Sequence, residues 1–353
     1  MDIDEAIRQG VNSLGWTLLT LGIGMPFLST LVRYRANYTP TKLQLPEDDQ
    51  TPPSDAVVSS YFGVMRRVYT VEGWAGLYKG FTPAVLTTLF VSLLHFPATI
   101  VVDWLYLYDE DTAPPAYIVV VEELFSFFFV PLLSALLAIP MQIVTFRAIV
   151  TQTHPLSLSF TSLLPAILSP AERRRPSLLY LAPGMAMVAF LLAAIAAVIG
   201  LPTQYIITSI TGTYPYDLLP HIMADAHYKY LFVLIAARIL SGLLLVLLVT
   251  PLRLARVRLA LQVTEPPELE SDHAGMPHLI DTPFLEPVVA LRSAPAHGDA
   301  HHFYPGVVAC LRAIAEEEGK HVLWRGWWIV ALQALVSPVL PSGWAAPFVS
   351  VLW

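Results

Sequence analysis

The sequence has few charged residues and only one cysteine. Charged residues make up 13% of its 353 residues, whereas roughly 25% is usual in soluble domains. Because so few charges cannot cover the surface of a soluble protein of this size, we expect much of the surface to face lipid. The single cysteine, Cys310, excludes a disulfide framework and a cysteine-based zinc site. The net charge of −7 offers no basic footprint for nucleic acid.

Apolar runs are what the sequence has in abundance. Hydrophobic residues make up 55% of the chain, and six runs reach or approach the ~20 residues that a membrane-spanning helix needs. These runs cover residues 11–32, 82–108, 117–146, 184–211, 230–252 and 327–350. Six spans place the three long connections on one side, and 17 of the 20 Lys and Arg residues fall there. This bias supports six spans in this register.

The ends of the odd-numbered spans share one pattern, a proline followed by an arginine seven residues later. The pairs are Pro26 with Arg33, Pro140 with Arg147, and Pro251 with Arg258. The prolines are separated by 114 and 111 residues. This regular separation predicts three repeats of two spans each.

A second pattern follows in the first and third repeats, each time after a candidate short amphipathic helix. It consists of an acid, a glycine, four residues, an aromatic residue, a base and a glycine. The pattern runs from Glu72 to Gly80 and from Glu318 to Gly326. The middle repeat, near Tyr180, has neither the acid–Gly pair nor the base–Gly pair. The middle repeat is therefore interpreted as degenerate.

Together these patterns resemble those of the mitochondrial carrier family. The resemblance implies an all-α membrane protein with six transmembrane helices in three repeats of two, arranged as a carrier-type barrel with short surface helices in the long loops. The expected repeats are 1–114, 115–222 (degenerate) and 223–353, the last with a long polar loop at 263–303.

The resemblance also implies a gate, in which an acid two residues and a base five residues after each proline pair between neighbouring helices. Here the acid positions hold Leu28, Gln142 and Arg253, and the base positions hold Leu31, Thr145 and Arg256. Because no acid is present, none of the ion pairs of this gate can form. A hydrogen bond from Gln142 to Thr145 or Arg256 remains open, and the arginines of the third repeat are expected to extend to lipid headgroups.

The base–Gly pairs, Lys79-Gly80 and Arg325-Gly326, are candidate phospholipid contacts. Helix N-termini present free N–H groups that suit a phosphate. By resemblance, the ligand is a cardiolipin-type phospholipid, which is the only bound group we expect besides a substrate. The alternative is a tight turn flanked by interfacial aromatic residues.

Ionisable residues inside the spans are candidates for lining a cavity. They are His95, Asp103 and Arg238. Arg238 is expected to contact an anion or to pair with Asp103 or Glu122. The alternative is a purely structural pair between helices.

No catalytic motif is present, so we predict no enzyme. The histidines of the long loop, at positions 297, 301 and 302, allow a metal site in principle. A flexible polar loop is the favoured interpretation, and we predict neither a metal nor a cofactor.

Two functions remain open. The first is a divergent carrier-fold protein without a standard exchange cycle, similar to carrier-like proteins of the outer-membrane fusion machinery through residues 26–38 and 204–209. Its partners would be membrane lipid and fusion or other outer-membrane proteins. The second is a solute carrier of the inner membrane that moves a small anionic or zwitterionic metabolite. The missing gate acids favour the first.

Overall fold

The structure, a computed structural model, describes residues 3–39, 60–105, 124–151, 164, 167–211, 231–262, 288–292 and 304–336. Within these ranges every regular element is helical. The expectation of an all-α protein is therefore confirmed for the described part of the chain.

Ten α-helices of the described residues follow the order of the predicted repeats. They are α1 (Ile3–Ala36), α2 (Tyr61–Leu77), α3 (Phe81–Leu105), α4 (Val130–Leu137), α5 (Ile139–Val150), α6 (Pro170–Arg174), α7 (Met185–Thr211), α8 (Leu231–Ala260), α9 (Val307–Glu317) and α10 (Trp327–Val336). A π-helical turn, Phe125–Phe129, precedes α4, and short 3-10 helices at Pro176–Leu181 and Lys320–Trp324 precede α7 and α10.

Fewer helices satisfy the length and hydropathy of a membrane span than the six that we predicted. Met185–Thr203 and Ile235–Ala260 qualify, and a third span is added if the bent pair α4 and α5 crosses as one unit. Phe81–Leu93 is apolar but shorter. The described residues therefore support two or three spans, and the six-span barrel stays a prediction.

The motif prolines have different effects on the three helices in which they lie. Pro140 stands in the first turn of α5, directly after a bend of 56° between α4 and α5. Proline lacks an N–H group and its ring clashes with the preceding turn, which explains the break. Pro26 and Pro251 lie inside the continuous helices α1 and α8. The helices α1, α5 and α8 pack against one another.

A glycine with positive φ stands immediately before each of α3, α7 and α10. The φ values are 81° at Gly80, 81° at Gly184 and 74° at Gly326. A Cβ at Gly80 would lie 2.6 Å from Ile149 Cγ1, and one at Gly326 would lie 2.6 Å from Leu31 Cδ1. Both the backbone conformation and the close packing therefore require glycine. The middle repeat keeps this glycine as Gly184, but Pro183 stands where the outer repeats have the base.

Part of the long loop is built into the fold. Val288 and Val289 are buried in the core, and Tyr38 N–H donates to the carbonyl of Ala290 at 2.8 Å. Arg292 forms a salt bridge of 2.6 Å with Glu317. The expectation of a flexible polar loop is therefore wrong for residues 288–292, because two valines, the Ala290 carbonyl and the Arg292 side chain are anchored there. The remainder of 263–303 lies outside the described residues.

Candidate functional site

The three arginines that follow the motif prolines form the centre of the candidate site. All three are buried, and each is bonded to a glutamate. The pairs are Arg33 with Glu72 at 2.6 Å, Arg147 with Glu172 at 2.7 Å, and Arg258 with Glu318 at 2.8 Å. We call Arg33, Arg147 and Arg258 the arginine ring.

The arginine ring links α1, α5 and α8 in a closed cycle. Each Nε atom donates to a backbone carbonyl that lies two residues beyond the ring arginine of the next helix. The bonds run from Arg33 to Ile149 O (2.9 Å), from Arg147 to Ala260 O (3.0 Å) and from Arg258 to Arg35 O (2.8 Å). Carbonyls in the last turn of a helix have no partner within that helix. The ring therefore provides hydrogen-bond donors for carbonyls at the ends of α5, α8 and α1 and connects these helix ends.

Glu172 is the member of the site that the sequence did not reveal. It lies in α6, where Ser169 and Glu172 form a capping box: Glu172 N–H donates to Ser169 Oγ at 3.2 Å, and Ser169 N–H donates to Glu172 Oε2 at 3.0 Å. The acid was missed because Arg173, not glycine, follows it. The Ser-x-x-Glu spacing was the available signal.

The charged side chains of the base–Gly pairs face protein partners. Lys79 Nζ donates to Glu72 Oε1 at 2.7 Å and to Thr151 O at 2.9 Å. Burial lowers the pKa of the Lys79 ammonium, against the opposing influence of Glu72. The Lys79 charge is thus engaged within the protein.

Arg325 is bound in a similar way in the third repeat. Its Nη1 donates to Asn37 O at 2.5 Å and lies 3.6 Å from Glu318 Oε2. Burial lowers the pKa of the Arg325 guanidinium. The Lys79 and Arg325 side chains are therefore already engaged with protein groups at both base–Gly pairs.

The gate positions of the first two repeats are packed into the protein interior. Leu28 and Leu31 are each 1% exposed, and Gln142 and Thr145 are also buried. The Thr145 hydroxyl donates to Met141 O at 2.7 Å, one turn back in its own helix. These positions thus contribute apolar packing and local hydrogen bonding.

The gate positions of the third repeat hold arginines that also lie inside the protein. Arg256 is 6% exposed and its guanidinium lies 5.7 Å from the Phe146 ring centroid. Arg253 is half-buried and its Nη1 donates to Gln333 Oε1 at 2.5 Å. The expectation that the arginines of this repeat extend to lipid headgroups is wrong for Arg256 and Arg258, because both are buried among neighbouring helices.

A third cation, Arg35, is grouped here with Arg253 and Arg256. Arg35, near the end of α1, is 2% exposed, and the charges of Arg35, Arg253 and Arg256 repel one another. We call these three residues the inner arginine cluster. Arg35 escaped the sequence analysis because it lies nine residues after Pro26, outside the motif.

The predicted cavity residues are only partly described. Arg238 is half-buried on α8, and its Nε has no hydrogen-bond partner within the described ranges. His95 and Asp103 belong to α3, but their side chains lie outside the described part of the structure, as does Glu122. The predicted pairing of Arg238 stays a prediction.

Metal binding finds no support in the part of the chain that the structure covers. That part contains no group of three or more His, Cys, Asp or Glu residues able to hold an ion. The histidines at 297, 301 and 302 lie outside it.

The described part of the chain is all-helical and contains apolar helices of membrane length, which defines the class as an integral membrane protein. Residues 15–106 and 229–343 match the family described as Mitochondrial carrier protein. The match covers more than half of the sequence, so the chain belongs to the mitochondrial carrier family and is an integral protein of a mitochondrial membrane. Proteins of this family are transporters without a cofactor. No curated protein matches the chain significantly.

Proposed function

We propose that this protein is a divergent carrier without a standard exchange cycle, which acts in the organisation of the outer mitochondrial membrane through fusion, lipid handling or protein handling. One observation supports this proposal above all. None of the three acid positions of the gate holds an acid: they hold Leu28, Gln142 and Arg253.

Alternating access requires contacts that form in one state and separate in the other. Separation of α1, α5 and α8 at the end where the arginine ring connects them would expose Leu28 and Leu31, which are buried in the core. Burial of a leucine side chain is worth ~1.5–3 kcal/mol, and no exchangeable ion pair replaces that contact. The arginine ring instead binds the three helix ends through buried charged contacts. These features favour a scaffold that stays closed at this end.

The wider architecture in this proposal is a six-span barrel of three repeats, 1–114, 115–222 and 223–353. The cyclic bonds of the arginine ring and the three positive-φ glycines support threefold repetition. Phospholipid headgroups would bind at the starts of α3 and α10, beside Gly80 and Gly326. Membrane lipid and outer-membrane proteins of the fusion machinery are the proposed partners.

A solute carrier of the inner membrane is the alternative function. The half-buried cations Arg238 and Arg253 on α8 favour it, because an anionic or zwitterionic metabolite would find charge there. His95 and Asp103 would complete the cavity in this alternative.

Reconstitution of the purified full-length protein in liposomes tests the proposal. Liposomes loaded with a panel of anionic and zwitterionic metabolites should show no saturable exchange above protein-free liposomes. Exchange of any metabolite would overturn the proposal. If that exchange were lost in Arg238→Gln and kept in the exposed-site variant Arg312→Gln, the solute carrier would replace it.

Protease access to intact mitochondria tests the membrane assignment. Cleavage in the 263–303 loop while the outer membrane is intact, together with protection of a matrix marker, is expected for an outer-membrane protein whose long loops face outward. Protection of the loop until the inner membrane is opened would contradict the outer-membrane assignment.

A further inference from the structure

The helix α2 carries large aromatic side chains on the face that points away from the protein. Phe62, Tyr69 and Trp74 are 67%, 48% and 64% exposed. The opposite face, which includes Val64 and Val68, is buried. We call Phe62, Tyr69 and Trp74 the aromatic face of α2. A group of large apolar side chains left exposed together marks a surface that contacts another molecule or a membrane.

A break in α2 brings two members of the aromatic face together. At Gly73 the backbone leaves the helical conformation, with φ of 69° and ψ of −162°. The rings of Tyr69 and Trp74 meet across this break, with 5.3 Å between their centroids. Neighbours on the surface of a regular helix are three or four residues apart, so the break allows this contact between residues five apart. The two rings therefore form one outward-facing pair.

The aromatic face connects the first turns of two apolar helices. Near the start of α2, Phe62 stacks on Trp328 of α10, with 6.1 Å between the ring centroids. Directly after α2, Tyr78 contacts Phe81, the first residue of α3, at 6.3 Å. The surface of α3 continues with exposed apolar side chains such as Leu93. Because the protein is integral to a membrane, these side chains of α3 face lipid, and the aromatic face of α2 is continuous with them.

The equivalent helix of the third repeat has a different outer face. Alignment of Glu72 with Glu318 places α9 opposite α2. The three positions of the aromatic face then hold Val308, Ala315 and Lys320. The exposed arginine of the outer face is the same in both helices, since Arg66 corresponds to Arg312. The aromatic face is therefore a property of the first repeat that the shared fold does not require.

We propose that the aromatic face of α2 docks into the lipid–water interface and anchors the first repeat at that depth. Tyr and Trp rings favour this interface because their apolar bodies contact acyl chains while their polar groups reach headgroups and water. An amphipathic helix binds a membrane surface through the apolar face that it buries there. The exposed Arg66, one turn after Phe62, extends toward the headgroups. This anchor does not depend on whether the protein exchanges a solute.

Nitroxide spin labels on the full-length protein in phosphatidylcholine vesicles measure the depth of chosen positions. Thr70→Cys places a label on the exposed side of α2 and leaves the aromatic face intact, and Glu316→Cys is the equivalent position on α9. Trp74→Cys and Lys320→Cys form a second equivalent pair, within the aromatic face itself. The native Cys310 is fully buried, so it stays unlabelled in the folded protein.

Relaxation of each label by oxygen, which concentrates in lipid, is compared with relaxation by a water-soluble nickel chelate. Labels at 70 and 74 should respond more to oxygen, and labels at 316 and 320 should respond more to the chelate. Equal access of the chelate to both members of each pair would overturn the proposal, because α2 would then be open to water and to a soluble protein partner. Protection of 70 and 74 from both agents would also overturn it, because a second copy of the chain would then cover the face.

The contribution of the aromatic side chains is tested in the labelled Thr70→Cys protein. Tyr69→Ala and Trp74→Lys together introduce the residues that α9 has at these positions. The label should lose its preference for oxygen and become accessible to the chelate. Phe62→Val, at the other end of the face, is an independent variant that should shift the label in the same direction. Val308→Ala in the Glu316→Cys protein is the control and should leave its label unchanged.

Retention of the fold is checked in the same variants by the thermal midpoint at which Cys310 becomes reactive toward a maleimide dye. This midpoint should be kept, because the substituted side chains are exposed. A label that keeps its preference for oxygen in all of these variants would show that other contacts set the depth of α2, and the proposal would be wrong.

Discussion

The outer repeats and the middle repeat use different numbers of cations to hold the same buried acid. Glu72 binds both Arg33 and Lys79, and Glu318 binds Arg258 with Arg325 3.6 Å away. Among the residues that the structure describes, Glu172 in the middle repeat forms a salt bridge with one cation, Arg147, which contacts both carboxylate oxygens.

The comparison shows that the same arrangement of ring arginine and buried glutamate can be kept with different neighbouring residues. The middle repeat has lost the base because Pro183 stands in its place, but it keeps the ring arginine, a glutamate and a positive-φ glycine. Arg147 Nη2 donates to Gln262 O, so the ring arginine itself reaches a carbonyl of the next helix end. In the outer repeats, Lys79 and Arg325 reach the corresponding carbonyls of Thr151 and Asn37.

Removal of the buried acids should give the largest effect and should separate the repeats. Loss of one partner from a buried ion pair costs about 3–5 kcal/mol. We expect Glu172→Ala to fall in this range and Glu72→Ala to exceed it, because Glu72→Ala leaves two cations unpaired. The measurement is thermal unfolding in detergent, followed by maleimide labelling of Cys310.

Cys310 suits this measurement because it reports unfolding without an engineered label. It is fully buried, and burial raises the pKa of its thiol to about 12, so the thiolate is scarce while the protein is folded. The exposed acid Glu316 provides the control variant Glu316→Ala, which should keep the original midpoint. Equal costs for Glu72→Ala and Glu172→Ala would refute the difference in cation number.

Substitution of Lys79 by methionine should convert an outer repeat to the single-cation arrangement of the middle one. Glu72 keeps Arg33, so the loss is limited to the hydrogen bonds of the ammonium with Glu72 and Thr151 O. Hydrogen bonds to charged groups are worth about 1.5–3 kcal/mol, and we expect a destabilisation of that size in urea unfolding. Lys320→Met, at an exposed position, is the matched control. An unchanged stability in Lys79→Met would show that the second cation is dispensable.

Much of this arrangement could be predicted from the sequence, and the exceptions have physical causes. The proline–arginine spacing located the ring because a helix places residues seven apart on one face. Glu172 was not predicted as a member of the site because its position is set by a capping box instead of by an acid–Gly turn. Arg35 was not predicted because only packing brings it to Arg256. Val288 and Val289 escaped because a short apolar pair in a polar loop has no helical or strand periodicity.

Substitution by alanine of the glycines that precede α3, α7 and α10 should lower the free energy of unfolding by about 1–3 kcal/mol, because each glycine has positive φ. Gly80→Ala should cost more than Gly184→Ala. A Cβ at position 80 would lie 2.6 Å from Ile149 Cγ1, whereas the nearest atom to one at 184 is Leu259 Cδ1 at 3.0 Å. Unfolding in urea measures both.

Gly22→Ala controls for the change in residue type, since it lies within α1 and a Cβ there meets nothing within 4 Å. Its stability should be kept or slightly raised, by about 0.5–1 kcal/mol. A larger cost at Gly184 than at Gly80 would contradict the difference in packing between the middle and outer repeats.

Restoring the missing base should give the smallest effect and would make the middle repeat like its neighbours. Pro183→Lys introduces an ammonium beside Gly184, at the position that Lys79 has beside Gly80. Because Arg147 already neutralises Glu172, a second cation should add no more than about 1 kcal/mol, the usual upper value for an ion pair that is not fully buried. Pro183→Gln removes the same proline without adding charge, so the difference in urea midpoint between Pro183→Lys and Pro183→Gln isolates the ammonium. We expect that difference to be positive at low salt and to shrink at high salt, as screening of a partly exposed charge requires. A difference of zero at low salt would mean that the bidentate Arg147–Glu172 pair leaves no room for a second cation, and the middle repeat would then be complete with one.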